Sequence, residues 1–409
     1  MKKFFLSLQE QPLSKLLLIG IPVLLLGVAL VYIGYQAGQQ SQRVPAATSQ
    51  PTDPAGQSLL IATPDHSPTA RPNPLIRLAW FYKPPEDEQL DLVAQNFDFF
   101  VLTYKDESAR DELKSKGVTA PFSQYLLLLA IDDPGDCQER PSGNQVAYKE
   151  GDFCQISQDH PDWFLVDQNG DRIRGSSGNY YMDPGNDGYR QFWLERAREM
   201  QETFGWDSLF LDNVEASRAK MVEDDTIPPQ YPDDKSYTKA VEGFLEYIRA
   251  NYFEPSGKKM YGNIVSVNDD AVRERYIRHL DGVMMEAFAT DWSDGYREHD
   301  DWDQQLKLAE WVLSLGKTMI LVSQGDEDDL DRQKFAFASY LLVANGNAVF
   351  RYTSTDDYRE AWLYDDYKLD MGKPLGKRFK EQGVWRRDFA NGYVTVDPKK
   401  HTAEIVVNQ

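Results

Sequence analysis

Two carboxylates interrupt apolar runs at places where a strand is expected to end. Asp212 follows Ser-Leu-Phe-Leu at 208–211, and Glu286 follows Gly-Val-Met-Met at 282–285. A charge inside such a run is costly unless it is partnered or faces a cleft. Two acids that face one cleft can hydrolyse a glycosidic bond, because one donates a proton while the other attacks or activates water. The alternative for each acid is a buried salt bridge to Arg or Lys.

The elements that position these acids follow from an alternation of strand-like and helical patterns. Eight apolar runs carry many β-branched and aromatic residues; they are Ile76–Tyr82, Phe97–Tyr104, Tyr125–Ile131, Ser208–Val214, Met260–Val265, Gly282–Ala289, Thr318–Gln324 and Ala348–Thr353. The helical patterns are Glu107–Lys116, Tyr189–Phe204, Ser236–Tyr252, Trp302–Leu315 and Leu330–Ala344. The alternation predicts an α/β fold with a parallel sheet, and eight repeats predict a (β/α)8 TIM barrel. The alternative is an open doubly wound sheet, although no glycine-rich phosphate loop follows the first strand.

Further candidates for the site come from the other strand ends. In a (β/α)8 barrel the functional side chains lie at the carboxyl ends of the strands. Residues there that could stack on a sugar or bond to its hydroxyls are the candidate substrate-binding residues Trp80, Tyr82, Tyr104, Asp132, Asp183, Asn213, Asn263, Gln324, Arg351 and Tyr352. For Asp183 the alternative is a turn or cap at the start of the following helix.

Composition and motifs exclude several classes of function. The net charge of −21 would repel a polyanion, so no nucleic-acid partner is expected. The five histidines form no HExxH motif, and no GxSxG or Ser-His-Asp arrangement is present. We therefore expect neither a metal nor a cofactor. The acidic run Asp326–Asp331 favours a solvated loop over a calcium site.

The N-terminal region has the pattern of a membrane anchor. Leu16–Tyr35 is apolar throughout, and twenty helical residues span about 30 Å, the thickness of a bilayer core. Three lysines precede it and the first basic residue after it is Arg43, which predicts a cytoplasmic N-terminus at 1–15 and a single-pass protein with its body periplasmic or extracellular. We expect a signal anchor at 16–35 and a disordered linker at 36–75, with a cleaved signal peptide as the alternative.

The body is predicted to comprise a barrel catalytic domain at 76–385 and a C-terminal β-hairpin extension at 386–409. An insertion, Asp132–Pro184, is too long for an ordinary connection and should help to form the cleft. It holds both cysteines, Cys137 and Cys154, which outside the cytosol could form one disulfide. Two unpaired thiols are the alternative.

Three segments resemble a known group of proteins. They are Pro161–Gly170, Met182–Asn186 and Trp206–Asn213, and they resemble the glycoside hydrolases of the hypothetical glycosyl hydrolase (GHL-type) group. That group is similar to the endo-α-1,4-polygalactosaminidase family and, more distantly, to α-galactosidase-like TIM barrels. The resemblance extends from about Ile76 to the C-terminus. Relatives often have Gly-Phe-Asp-Gly where this chain has Gly-Trp-Asp-Ser at 205–208.

The resemblance implies a retaining barrel hydrolase. In similar barrels the nucleophile ends the fourth strand and the acid/base ends the sixth, which assigns these roles to Asp212 and Glu286. Sequence and resemblance together predict a membrane-anchored hydrolase of an extracellular or envelope polysaccharide. The alternatives are a barrel that binds glycan without cleaving it and a structural envelope protein whose acids form internal ion pairs.

Overall fold

The computed structural model describes residues 75–141, 144–175, 177–222, 227–292 and 295–408. The predicted anchor at 16–35, the segment before it and the linker up to residue 74 lie outside these ranges, so the anchor stays a prediction. Within the described ranges, no helix is both long enough and apolar enough to cross a membrane.

The centre of the molecule is a ring of parallel strands. In chain order the first ten strands are β1 (Ala79–Phe81), β2 (Phe99–Leu102), β3 (Phe122–Leu127), β4 (Ala130–Ile131), β5 (Tyr180–Tyr181), β6 (Ser208–Glu215), β7 (Lys259–Val265), β8 (Gly282–Met285), β9 (Thr318–Gln324) and β10 (Ala348–Thr353). All except β4 and β5 form one eight-stranded sheet in sequential order. A parallel bridge between Leu78 and Phe350 joins the first strand to the last. The predicted TIM barrel is confirmed.

Helices surround the ring. They are α1 (Leu90–Asn96), α2 (Glu107–Ser115), α3 (Asp152–Asp159), α4 (Asp187–Thr203), α5 (Ala219–Val222), α6 (Asp234–Ile248), α7 (Glu254–Ser256), α8 (Asp270–His279), α9 (His299–Ser314) and α10 (Leu330–Val343). Side chains cap several of them, as Asn186 does for α4 by accepting a bond from the Tyr189 N–H at 3.1 Å. In the acidic run, Asp329 caps α10 in the same way.

Two hydrophobic layers reflect the alternation of side chains along each strand. The inner layer fills the ring with residues such as Ala79, Phe81 and Phe210, whereas the outer layer packs between strands and helices. A shift of one residue along a strand therefore moves a side chain from the barrel interior to the helix layer. This decides which of the predicted residues reach the site.

Two predicted strands end four residues earlier than expected. The run Tyr125–Ile131 is divided, because β3 ends at Leu127 and 130–131 pair instead with β5 in the insertion. The run Gly282–Ala289 ends at Met285, because Ala287 and Ala289 adopt positive φ angles of 51° and 61° that no strand accommodates. Both strands therefore end in loops at the barrel mouth.

The C-terminal extension is larger than the predicted hairpin. It is a four-stranded antiparallel sheet of β11 (Phe379–Glu381), β12 (Val384–Phe389), β13 (Gly392–Asp397) and β14 (Thr402–Val407). The sheet packs on α10, where Arg387 donates to the carbonyl oxygens of Leu341 and Ala344 at 2.9 and 2.8 Å. These bonds satisfy the carboxyl end of that helix, whose last carbonyl groups have no partner within it.

A disulfide links two residues within the insertion after β3. Cys137 and Cys154 are bonded with their Cα atoms 5.7 Å apart, so the chain from 137 to 154 forms a closed loop. The alternative of two unpaired thiols therefore does not hold.

Candidate active site

Asp212 and Glu286 meet at the mouth of the barrel, joined by a third residue. Asn263 on β7 stands between β6 and β8, and its Nδ2 donates to Asp212 Oδ1 at 3.0 Å and to Glu286 Oε2 at 2.7 Å. Two oxygens bonded to one nitrogen at these distances cannot be farther apart than their sum, 5.7 Å. The hydrogen-bond partners of each acid are amide and phenol groups, so the two acids share one hydrogen-bonded site and do not form two buried salt bridges.

Two tyrosines complete the surroundings of the acids. The Tyr125 hydroxyl donates to Asp212 Oδ2, and the Tyr82 hydroxyl lies 3.4 Å from Glu286 Oε1. The ring of Tyr358 packs edge-on against Tyr82, with centroids 5.3 Å apart. Burial raises the pKa of Tyr82 and of Tyr125 well above the ordinary value, with the charge of Asp212 as the next cause. Both tyrosines are therefore neutral hydrogen-bond donors.

The surroundings of Glu286 favour its protonated form. Burial, and then the charge of Asp212, raise the pKa of Glu286 to about 7. Hydrogen bonds from Asn263 and Tyr82 act in the opposite direction. Glu286 can thus hold a proton near neutral pH and release it, as a general acid must.

Two further predicted residues support the pair from neighbouring positions. Gln324, at the end of β9, accepts the N–H of Ala287 through Oε1 at 3.2 Å and so fixes the backbone next to Glu286. Asn213 follows Asp212 at a bulge with φ 52°, and its Oδ1 accepts from Lys220 Nζ at 3.0 Å. Asn213 therefore lies beside the pair and faces Lys220.

Three aromatic or basic candidates do not reach the pocket, because their strand positions bury them. Trp80 and Tyr352 belong to the outer layer, where Trp80 Nε1 donates to the Lys83 carbonyl at 2.7 Å and the Tyr352 hydroxyl to the Asp326 carbonyl at 3.1 Å. Arg351 faces inward but is 3% exposed, and it donates to the Tyr358 carbonyl at 2.6 Å. Its role is to hold the loop that carries Tyr358, which corrects the expectation of substrate contact.

The remaining candidates lie in or beside the insertion. Tyr104 packs against Tyr148 and Phe204, with centroids 5.1 and 5.8 Å apart. Asp183 accepts bonds from the Tyr231 hydroxyl and from the Gly185 N–H, so it forms the turn before α4, which was the alternative interpretation. For Asp132, at the start of the insertion, a role in binding stays a prediction.

Tyr125, Tyr358 and Lys220 were not predicted as site residues. Tyr125 was placed at the beginning of a strand, whereas it is the fourth residue of β3 and points toward Asp212. Its aromatic character next to an apolar run was the available signal. Tyr358 lies in the irregular connection after β10, and Lys220 lies in α5, a helix of four residues after β6 that is too short to show a periodicity.

Replacing Asn263 with Ala should shift the pH dependence of catalysis. The Asn263 amide lowers the pKa of Glu286 and separates it from Asp212. Without this donor the pKa of Glu286 rises further, so the alkaline limb of a kcat/KM profile moves to higher pH, and kcat falls by about 10-fold to 100-fold because the acids lose their alignment. A profile with an unmoved limb would contradict the bridging role.

Replacing Glu286 with Gln should stabilise the fold at alkaline pH. Between the ordinary carboxyl pKa of 4.5 and about 7, folded Glu286 keeps a proton that the unfolded chain has lost, so stability falls as pH rises through this window. Gln avoids this penalty. We expect the variant to gain up to about 3 kcal/mol in free energy of unfolding at pH 8, and almost none at pH 4, as measured by denaturant titration. An equal gain at both pH values would mean that packing, and not ionisation, is its cause.

Two carboxylates at the mouth of a (β/α)8 barrel, with a raised pKa at Glu286, are the arrangement typical of the glycoside hydrolases. The family pattern of hypothetical glycosyl hydrolase family 15 matches residues 137–393, which is more than half of the chain. The chain belongs to this family and is a glycoside hydrolase.

Solved structures with a similar chain trace include other glycoside hydrolases. One is the glycoside hydrolase domain of PelA from Pseudomonas aeruginosa, with 16% identity, 70% of this chain and 97% of that chain covered, and a TM-score of 0.47. Another is the maltogenic α-amylase AmyB from Thermotoga neapolitana, with 10% identity, 79% and 86% covered, and a TM-score of 0.47. No curated protein sequence matches the chain.

Proposed function

We propose that this protein cleaves an extracellular or envelope polysaccharide with retention of configuration at the anomeric carbon, with Asp212 as nucleophile and Glu286 as acid/base. The observation that carries the proposal is the single Asn263 nitrogen bonded to both acids. Retaining enzymes hold their carboxyl groups about 5–5.5 Å apart, whereas inverting enzymes need about 6.5–9.5 Å to admit a water. An upper limit of 5.7 Å between the bonded oxygens favours retention.

In the first step Asp212 attacks the anomeric carbon while Glu286 gives its proton to the departing oxygen. The bond from the anomeric carbon to that oxygen breaks, and a glycosyl ester forms on Asp212. Hydrogen bonds from Tyr125 and Asn263 hold the attacking carboxylate in place. Since these donors are fixed before the substrate arrives, little reorganisation is needed during the reaction.

In the second step Glu286 must act as a base. The negative charge of Asp212 contributes to the raised pKa of Glu286, and the ester on Asp212 removes that charge. The pKa of Glu286 should then fall, so its carboxylate can take a proton from water as the water attacks the ester. Two displacements on opposite faces restore the original configuration.

The pH dependence of activity follows from the protonated form required in the first step. Glu286 with a pKa of about 7 is protonated below that pH and ionised above it. We expect kcat/KM to fall about tenfold per pH unit above roughly pH 7, since this parameter reports the free enzyme. A kcat/KM that stays constant up to pH 9 would contradict the assignment of Glu286 as the acid.

The location of the protein is part of the proposal. The apolar segment 16–35 would anchor the chain and place the barrel outside the cytoplasm, where the disulfide at Cys137 is stable and polysaccharide is available. Detection of the full-length chain in the membrane fraction, with its body accessible to protease only from outside, would support this. The substrate is expected to be a polysaccharide and not a nucleic acid, because the chain carries a net charge of −21.

The activity can be tested with the purified full-length chain in detergent. Release of reducing ends is measured on soluble starch, dextran, chitosan, pectin, alginate and xylan, and the first product is followed by NMR of its anomeric proton. We expect hydrolysis of at least one polymer, with the product in the configuration of the substrate. Binding without release of reducing ends would favour the non-catalytic barrel, and a product of inverted configuration would exclude the retaining mechanism.

A further inference from the structure

We propose that the groove beside Glu286 binds the leaving-group sugar of the polysaccharide, with Trp292 as the surface on which that sugar stacks. This inference rests on the proposed function. It specifies that the chain recognises the part of the substrate on the leaving-group side of the scissile bond. The groove is defined here as the cavity between β7, β8, α8 and α9.

The catalytic acid lines the groove. The groove has a volume of about 560 Å³, within the range usual for ligand sites, and its lining includes Asn263 and Glu286. Apolar side chains such as Val283 and Leu308 form the wall. Arg273 also lines it and keeps a buried Nε without a hydrogen-bond partner among the described residues. An apolar surface with a few polar groups suits a ring that presents both C–H faces and hydroxyls.

Trp292 is the one exposed tryptophan of the nine in the chain. Its exposure is 48%, whereas Trp193, Trp206 and Trp302 are completely or almost completely buried. An indole left in water forfeits the stabilisation that burial gives, and a ligand that covers it recovers that stabilisation. Because Trp292 lines the same groove as Glu286, a bound sugar chain can cover both.

Described residues on either side of Trp292 are bonded to a neighbouring helix. Arg332 at the start of α10 is 1% exposed and donates to the carbonyl oxygens of Asp291 at 3.0 Å and of Gly295 at 2.5 Å. Tyr296 stacks on His401 of the C-terminal sheet, with centroids 4.3 Å apart. The turn between β13 and β14 thus contacts the chain after β8 at Tyr296. Contacts at Asp291, Gly295 and Tyr296 reduce the conformational entropy that binding at Trp292 would cost.

The roles of the two acids indicate that the groove lies on the leaving-group side of the scissile bond. Glu286 lines the groove but Asp212 does not, so the groove adjoins the acid of the pair and not the nucleophile. The acid protonates the oxygen of the departing sugar, and a sugar in the groove therefore belongs to the leaving group.

The test compares a polysaccharide with a substrate that has no leaving-group sugar. The full-length chain and its Trp292→Ala and Trp292→Phe variants are assayed on the polysaccharides named above and on α- and β-glucosyl and galactosyl fluorides. We expect Trp292→Ala to lower kcat/KM on the hydrolysed polymer by about 10-fold or more, while Trp292→Phe keeps most of the activity because it retains a flat ring. On a hydrolysed glycosyl fluoride all three proteins should have the same kcat/KM.

Three results would overturn the inference, and they are distinguishable. Unchanged polymer hydrolysis by Trp292→Ala would remove Trp292 from the site and leave the proposed function intact. An equal loss on polymer and fluoride would place Trp292 on the other side of the bond or give it a structural role. If the wild-type chain hydrolyses no polymer and no fluoride, the proposed function fails and this inference fails with it.

Discussion

Replacing Asp212 with Gly is expected to lower kcat on the hydrolysed polysaccharide by at least about 10⁴-fold, because no other carboxylate can form the glycosyl ester. The variant keeps Glu286, so protonation of the leaving group remains possible. Glycine at position 212 leaves empty the space that the Asp212 side chain occupied beside Tyr125 and Asn263. Sodium azide should enter this space and attack the anomeric carbon in place of the carboxylate.

The azide product distinguishes a nucleophile from a residue with a structural role. A single displacement by azide gives a glycosyl azide of inverted configuration, and the rate should rise with azide concentration. Asp212→Asn is the matched control, since its amide fills the pocket and should gain nothing from azide. Circular dichroism checks that both variants are folded. Activity above one hundredth of the wild-type value in both variants would exclude Asp212 as the nucleophile.

Replacing Glu286 with Gln should lower kcat/KM on the polysaccharide by about 10²-fold to 10⁴-fold, the usual contribution of a general acid. The effect should depend on the leaving group. Fluoride departs without a proton, so the first step on a glycosyl fluoride should change little. The alkaline limb near pH 7 should also disappear, since it reports the ionisation of Glu286.

Stopped-flow measurement of the first turnover on a glycosyl fluoride isolates the step that needs no acid. A loss of the same size on fluoride and polymer would mean that Glu286 does not protonate the leaving group. Tyr82→Phe serves as a control for disturbance of the pocket, because the Tyr82 hydroxyl touches Glu286 without taking part in proton transfer. It should lower activity much less than Glu286→Gln.

Much of the fold could be predicted from the sequence because the barrel repeats one simple pattern. Apolar strand runs alternate with amphipathic helices, and the fourth, fifth, seventh and eighth runs each overlap an observed strand closely. The acids stood out for the same reason, since Asp212 and Glu286 interrupt runs that are otherwise apolar. The C-terminal sheet was predicted too small, because β11 has exposed residues and no clear alternation.

The details of the site could not be predicted because they depend on position within the barrel. Trp80 and Phe81 are adjacent in sequence, yet one lies in the outer layer and the other in the inner layer. Only the register of the strands decides between them. Asn263 was predicted as a sugar ligand, whereas its bridging of the two acids depends on distances across three strands. Trp292 lies in an irregular connection, where sequence periodicity gives no information.

Identification of the residue that carries the glycosyl ester tests the roles of Asp212 and Glu286 directly. A 2-deoxy-2-fluoro glycosyl fluoride of the sugar that is hydrolysed slows the second step, and peptide mass spectrometry locates the label. We predict one added sugar on the peptide that contains Asp212, and no label in Asp212→Asn. A label on another residue, or an unlabelled enzyme that still turns over the polysaccharide, would contradict the retaining mechanism with Asp212 and Glu286.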